Sequence, residues 1–259
     1  MLNSTKLIRF ELLQFNKIEM INLKSASLIL LLVGFISGLH AQETPQTEGQ
    51  KTMSAQQVLS AHYAGVYQMA IRYNDYGMAK NALYNLYVEN PQNDSILYSL
   101  SALYLQSGQF ASAAISAQDV LSMRPKHTAA MEIMAVAYEN LGLKDKALDG
   151  YESLYLQTDD YQTLYKIAFL QYELGRLKES KTNIDILLGK KEAEDLEVVF
   201  DIGNQQQKEF PIKVALLNLK GLIAKDEGDK ASAKKYFNEA LTISPDFSFA
   251  KENLQNIDK

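Results

Sequence analysis

Tyr165, Phe169 and Tyr172 are spaced by four and three residues, so on one helix they share a face and form an aromatic ridge. Such a ridge does the chemistry of binding: rings supply contact area, and aromatic anchors carry much of the energy at protein interfaces. The same spacing also suits inward packing, with Tyr151 and Leu154 as neighbours. Groups suited to catalysis are sparse. Of three histidines only His62 and His127 lie beyond residue 41, and neither has a recognisable motif around it. There is no cysteine, which excludes disulfides, thiolate metal sites, cysteine nucleophiles and a lipidated N-terminal cysteine. Carboxylates are plentiful but scattered over helix exteriors, and spacing identifies no partner for any of them. No catalytic residue, cofactor site or metal site is expected. The chain has 26 Lys+Arg against 31 Asp+Glu, and 22 against 29 once residues 1–41 are set aside. With that balance and no basic cluster, nucleic acid is not an expected partner.

The elements that would hold these residues announce themselves by period. Turn signals at Asn74-Asp75, Gly108-Gln109, Gly142-Leu143, Gly175-Arg176 and Gly228-Asp229 follow one another at intervals of 34, 34, 33 and 53 residues. A period near 34 signals repeats. Before each turn apolar residues recur at helical spacing, as in Leu97, Leu100, Tyr104 or Met131, Met134, Tyr138, and a second helical pattern follows it. A helical hairpin cannot bury both its apolar faces alone, so neighbouring hairpins must stack around one continuous core.

The recurring residues resemble the tetratricopeptide-repeat (TPR) family. In the last unit Leu217, Gly221, Gly228-Asp229, Ala233, Phe237, Ala240 and Pro245 fall where the family places its first-helix apolar residue, close-contact small residue, turn, second-helix alanine, aromatic, second alanine and closing proline. The second unit has Leu97, Leu100, Ser101, Tyr104, Gly108, Ala113 and Pro125, and the third Met131, Ala135, Tyr138, Gly142, Ala147 and Tyr151. The first keeps Ala79, Leu83 and Pro91 but has Tyr67 at a small-residue position; the fourth keeps Ala168 and Gly175 but has Ser180 for the alanine. The resemblance implies an all-α, right-handed α-solenoid of about five repeats, near 60–93, 94–127, 128–160, 161–189 and 212–247. Residues 246–258, with Phe247, Ala250, Leu254 and Ile257 on one stripe, read as a capping helix.

The 53-residue interval leaves an insertion at 190–211. Lys190–Asp195 is a charged run, Leu196–Ile202 is β-branched and partly alternating, and Gly203-Asn204 is a hairpin turn signal, so a small β-hairpin is preferred, with a further short helix as the alternative. Its edge could accept a partner strand, or it could be a clip packed by Val198, Phe200 and Ile202.

The N-terminus reads as an address. Residues 26–39 are small and apolar, preceded by Lys24 and followed by His40 and Ala41, which is the pattern of an export signal; a stretch of about 14 residues is short for a membrane span. A signal peptide over 1–41, a start at Met1 or Met20, a disordered spacer over 42–58 and residence in the periplasm of a double-membraned bacterium are expected, with a retained anchor as the alternative and no stable membrane insertion after cleavage.

In the TPR family first helices line the concave surface. The resemblance places that lining on Gln68, Arg72, Tyr98, Gln106, Glu132, Glu139, Asn140, Tyr165, Phe169 and Tyr172. The lysine, asparagine and arginine with which some members grip a terminal carboxylate are replaced here by Ala64, Gln68 and Ala102. The implied function is therefore a non-catalytic scaffold for a protein or peptide; a glycan-binding helical protein is the alternative, since aromatic faces also stack on sugars. Partner identity and oligomeric state stay open.

Overall fold

The computed structural model of the chain describes residues 53–203 and 206–258, so the expected export signal, most of the spacer and the Asn204 turn residue lie outside the described part. Two units are described separately, 53–90 and 91–258. The first contains α1 (Ala55–Arg72) and α2 (Tyr76–Glu89). The second contains α3 (Asp94–Gln106), α4 (Phe110–Met123), α5 (Thr128–Asn140), α6 (Lys144–Thr158), α7 (Tyr161–Glu173), α8 (Leu177–Leu188), β1 (Glu197–Gly203), β2 (Gln206–Pro211), α9 (Ile212–Asp226), α10 (Lys230–Ile243) and α11 (Ser248–Gln255). Helix α1 begins before the expected boundary at residue 59 because Ser54 and Gln57 form a capping box: the Ser54 hydroxyl accepts from the Gln57 amide and the Gln57 side chain accepts from the Ser54 amide.

The hairpins share one turn. Gly108, Gly142, Gly175 and Gly228 have φ between 69° and 83°, and Asn74, with φ 57°, fills the same place in the first pair. A left-handed residue there lets the next amide reach back to the first helix: Gln109 to Tyr104, Leu143 to Tyr138, Arg176 to Gln171, Asp229 to Ala224 and Asp75 to Ala70. Each is the long bond of a helix C-terminal cap that favours glycine and tolerates asparagine. The residue making it is also the N-cap of the next helix, so the connection is as short as a helical hairpin permits.

Within 91–258 each helix packs on the next, and α3 also touches α5 and α7 touches α9, so first helices lie beside first helices. The core is continuous because small residues sit where helices approach. Ala113, Ala135, Ala147, Ala168, Ala233 and Ala240 are fully buried. A Cβ on Gly150 would stand 2.9 Å from that of Ala135, and one on Gly221 would collide with the Phe237 ring. Ser180 is tolerated at an alanine position because its hydroxyl donates to the Ala168 carbonyl of the facing helix at 2.7 Å, leaving no unpaired polar atom. Overpacking such a contact costs about 1–3 kcal/mol, whereas surface changes usually stay within about 0.5 kcal/mol. Ala233→Phe is therefore expected to lower the denaturant midpoint clearly more than Lys230→Phe.

The insertion is a two-stranded antiparallel hairpin, preceded by a single 3-10 turn at Lys191–Ala193. Val198 pairs with Phe210 and Phe200 with Lys208. The inward face consists of Val198, Phe200 and Phe210; Ile202, expected among the packing residues, is 43% exposed, at the register irregularity at Asp201/Gly203 where the regular pairing of the strands breaks. Phe200 meets Phe247 and Phe249, and Phe210 meets Phe247, with ring centroids 4.9–5.2 Å apart, so the hairpin clips down the start of α11. Lys208 and Asp246 form an ion pair across the same seam. Beyond it Ala250 and Ile257 are buried while Lys251, Glu252 and Gln255 stay exposed, as a terminal cap requires.

Candidate functional site

The first helices of unit 91–258 carry a row of polar and aromatic groups from α3 to α9. On α3, Tyr98 stacks on His127, the residue before α5, at 4.9 Å between ring centroids. Burial raises the Tyr98 pKa, and the Glu132 carboxylate of α5 raises it further. Glu132 is itself raised by desolvation of its carboxylate and by Asp160, against the opposing pull of Lys166 on α7. Three successive first helices thus place Glu132 within electrostatic reach of both Tyr98 and Lys166. Two turns along α5, Glu139 accepts a 2.5 Å hydrogen bond from the Tyr151 hydroxyl, which accepts from Lys166 at 3.1 Å. Lys166 also lies 4.9 Å from the Tyr151 ring centroid. Burial and Glu139 hold the Tyr151 hydroxyl well above its ordinary pKa, so it stays protonated as a donor. On the far side burial and hydrogen bonding to Asp226 of α9 raise Tyr172, and the Asn253 amide of α11 donates to Asn218 of α9 at 2.9 Å.

The aromatic ridge divides. Tyr165 and Phe169 are only 3% and 5% exposed, and burial strongly raises the Tyr165 pKa. They are withdrawn from the expected open lining; Tyr172 stays half-buried with its hydroxyl at Asp226. The reason is angular: positions four apart are offset by about 40° around a helix and seven apart by about 20° in the other sense, so shared facing does not ensure equal exposure. Of the other expected residues, Gln106 and Asn140 are exposed at the ends of α3 and α5, and the Asn140 amide donates to the Val136 carbonyl of its own helix at 2.8 Å. Gln68 and Arg72 are exposed on α1, in the other unit, where the Arg72 guanidinium lies 5.9 Å from the Tyr73 ring.

Lys166, Tyr151, Asp226 and His127 were not foreseen as site residues. Asp226 had a signal, because the repeat place that holds Gln106 and Asn140 in earlier units falls on it in the last. Lys166 had none, since its role depends on reaching Tyr151 in another helix. His127 caps α5: its Nδ1 accepts from the Ala130 amide at 3.2 Å, so the proton of the neutral ring sits on Nε2. Burial, then Arg124, lower its pKa from the ordinary 6.5. A group with a depressed folded pKa contributes stability that is complete above the unfolded value and lost as pH falls through the folded one. Stability should therefore decline below about pH 6.5 by up to about 1 kcal/mol, the scale of an N-cap. His127→Asn, which keeps an acceptor without titrating, should flatten that decline in pH-dependent denaturant titrations.

Among the described residues no group of His, Cys, Asp or Glu is arranged to hold a metal ion, and no helix is long and apolar enough to cross a membrane.

Residues 214–247, comprising most of α9, all of α10 and the turn after it, match the family model of the tetratricopeptide repeat. Residues 214–247 are a tetratricopeptide repeat, and the stacked hairpins before them have the fold of a tetratricopeptide-repeat solenoid. Solved structures agree with that fold. A tetratricopeptide repeat protein from Parabacteroides merdae superposes with a TM-score of 0.60 at 19% identity, over 77% of this chain and 72% of its own. YrrB, described as a TPR protein with an unusual peptide-binding site, gives 0.60 at 11% identity, over 74% of this chain and 90% of its own. MamA from Desulfovibrio magneticus gives 0.57 at 14% identity, over 76% and 99%. No curated protein sequence matches the chain. At these identities the likeness speaks for the fold, and the polar row on the TPR first helices must be read from its own residues.

Proposed function

We propose that this TPR chain is a non-catalytic scaffold that holds a protein or peptide segment along the first helices α3, α5, α7 and α9. The carrying observation is that Tyr98, Glu132 and Lys166 are linked electrostatically from α3 through α5 to α7, and Tyr172 and Asp226 from α7 to α9, so that acceptors, a cation and rings recur along four successive first helices. An extended segment suits such a row, because its backbone amides and carbonyls need partners at regular intervals while rings supply area between them. The peptide-binding description of YrrB, a protein of the same fold, supports this reading. Crosslinking in the native compartment, followed by identification of what is bound, tests it. A protein or peptide should be recovered with the natural chain and lost with Tyr98→Ala/Tyr172→Ala at unchanged folding; undiminished recovery from that variant overturns the assignment.

The scaffold acts after export, in the periplasm of a double-membraned bacterium. The support is the basic residue Lys24, the short apolar run 26–39 and the small residue Ala41. N-terminal sequencing should find Gln42 first; Met1 or Met20 intact in a membrane pellet would make the chain an anchored one.

A further inference from the structure

Helix α1 has 18 residues and a single charge, Arg72. One side of it is apolar and open: Val58, Met69 and Tyr73 are 55%, 63% and 70% exposed, and His62 between them is exposed too. These four positions fall within about 60° around the helix. A polar outer face is what the end of a repeat array needs for solubility, and α11 has one in Lys251, Glu252 and Gln255. Helix α1 lacks it.

Midway along the stripe, at its edge, is Gly65. Three described glycines lie inside helices beyond the first turn, and two have a reason within the fold: Gly150 makes room for Ala135 and Gly221 for Phe237. Around Gly65 a Cβ would meet nothing within 4 Å. Glycine weakens a helix interior, and nothing inside the unit requires it here. A close approach by a helix from outside would.

The spacing specifies which helix. Val58 and Tyr73 are equidistant from a point between Gly65 and Val66, and so are His62 and Met69. A twofold contact must be self-complementary, each residue meeting its mate on the other copy. Two α1 helices laid antiparallel with the axis at Gly65 put Val58 against Tyr73 and His62 against Met69, twice over, and carry the two Arg72 side chains to opposite ends. Charge agrees: residues 53–90 hold two basic and two acidic residues, whereas 91–259 hold 19 and 25. Two copies meeting through α1 bring together neutral segments, while contact through the acidic remainder would set like charges together.

We propose that α1 is a homodimerisation helix, pairing antiparallel with α1 of a second copy through Val58, His62, Met69 and Tyr73 around Gly65. A contact of one helix with one helix is small, so the dimer is a weak and reversible one.

Sedimentation of the full chain over a range of concentrations should show a monomer–dimer equilibrium. Gly65→Leu should abolish the dimer while leaving the monomer at least as thermostable, since the new side chain enters open space and a better helix former replaces glycine. Met69→Lys should do the same, and Ile115→Lys on α4 should not. Because the chain has no cysteine, introduced thiols report geometry directly. Gly65→Cys should crosslink to itself, and an equimolar mixture of Val58→Cys and Tyr73→Cys chains should crosslink to each other more than either does alone. A dimer insensitive to Gly65→Leu and Met69→Lys overturns the proposal. So does a monomer at every concentration: with the Gly65→Cys thiol shielded from a soluble maleimide, the chain's own N-terminal residues cover the stripe, and with it freely labelled the stripe is left to another protein or to solvent.

Discussion

Replacing Tyr165 by Ala is expected to lower the unfolding free energy by about 3 kcal/mol, the usual loss when a large buried aromatic is truncated. Tyr165 is 3% exposed, so the substitution leaves a cavity. Tyr172→Ala should behave differently. Its ring is half-buried and its hydroxyl is held by Asp226 across to α9, so its stability cost is expected to stay near 1 kcal/mol, the scale of one hydrogen bond plus partial burial. Loss of bound partner should instead amount to about 2 kcal/mol, as for an aromatic anchor. The pair is read by urea titration of each variant alongside partner recovery per folded molecule. If Tyr165→Ala keeps full stability and loses the partner, Tyr165 belongs to the open face and the division of the ridge is mistaken.

Phe247→Ala should be costlier still, at about 3–5 kcal/mol. Phe247 is fully buried and its ring is shared: it meets Phe200 and Phe210 of the hairpin and Phe249 of the cap, at centroid distances of 5.0, 4.9 and 5.3 Å. One truncation removes ring contacts from both elements at once. The two strands form an isolated two-stranded sheet, marginal without something to pack on, and α11 is only eight residues long, too short to persist alone. Hydrogen exchange should therefore speed up together at 197–211 and 248–255, with α3 to α6 nearly unchanged, since repeats couple chiefly to their neighbours. Exchange that rises at α11 alone would mean that the hairpin is held by the α9 end of the array and that the clip is incidental.

The repeat architecture was legible in the residue order because it is local chemistry repeated. A left-handed glycine or asparagine at the turn of each hairpin, and alanine or glycine where two helices touch, are demands that each hairpin makes of its own segment. The β-hairpin was legible for the same reason: Val198, Val199 and Phe200 favour a strand, and Gly203 accepts φ 92°. Which of its side chains turn inward was less so, because Phe210 rather than Ile202 completes the packed face once the strands have paired in their actual register.

The candidate site lies at the other extreme. Spacing showed that Tyr165, Phe169 and Tyr172 share a face, yet burial is decided by what else arrives there, and helical periodicity carries no information about it. The Lys166–Tyr151–Glu139 chain joins three helices whose residues are 12 and 15 positions apart, and His127 becomes a cap and a stacking partner for Tyr98 only when α3 and α5 lie side by side. From its own residues the chain determines a stack of helical hairpins, where each turns and where the stack ends. The polar row emerges only after stacking, because hydrogen bonds and desolvation depend on distances between segments that local propensity does not set.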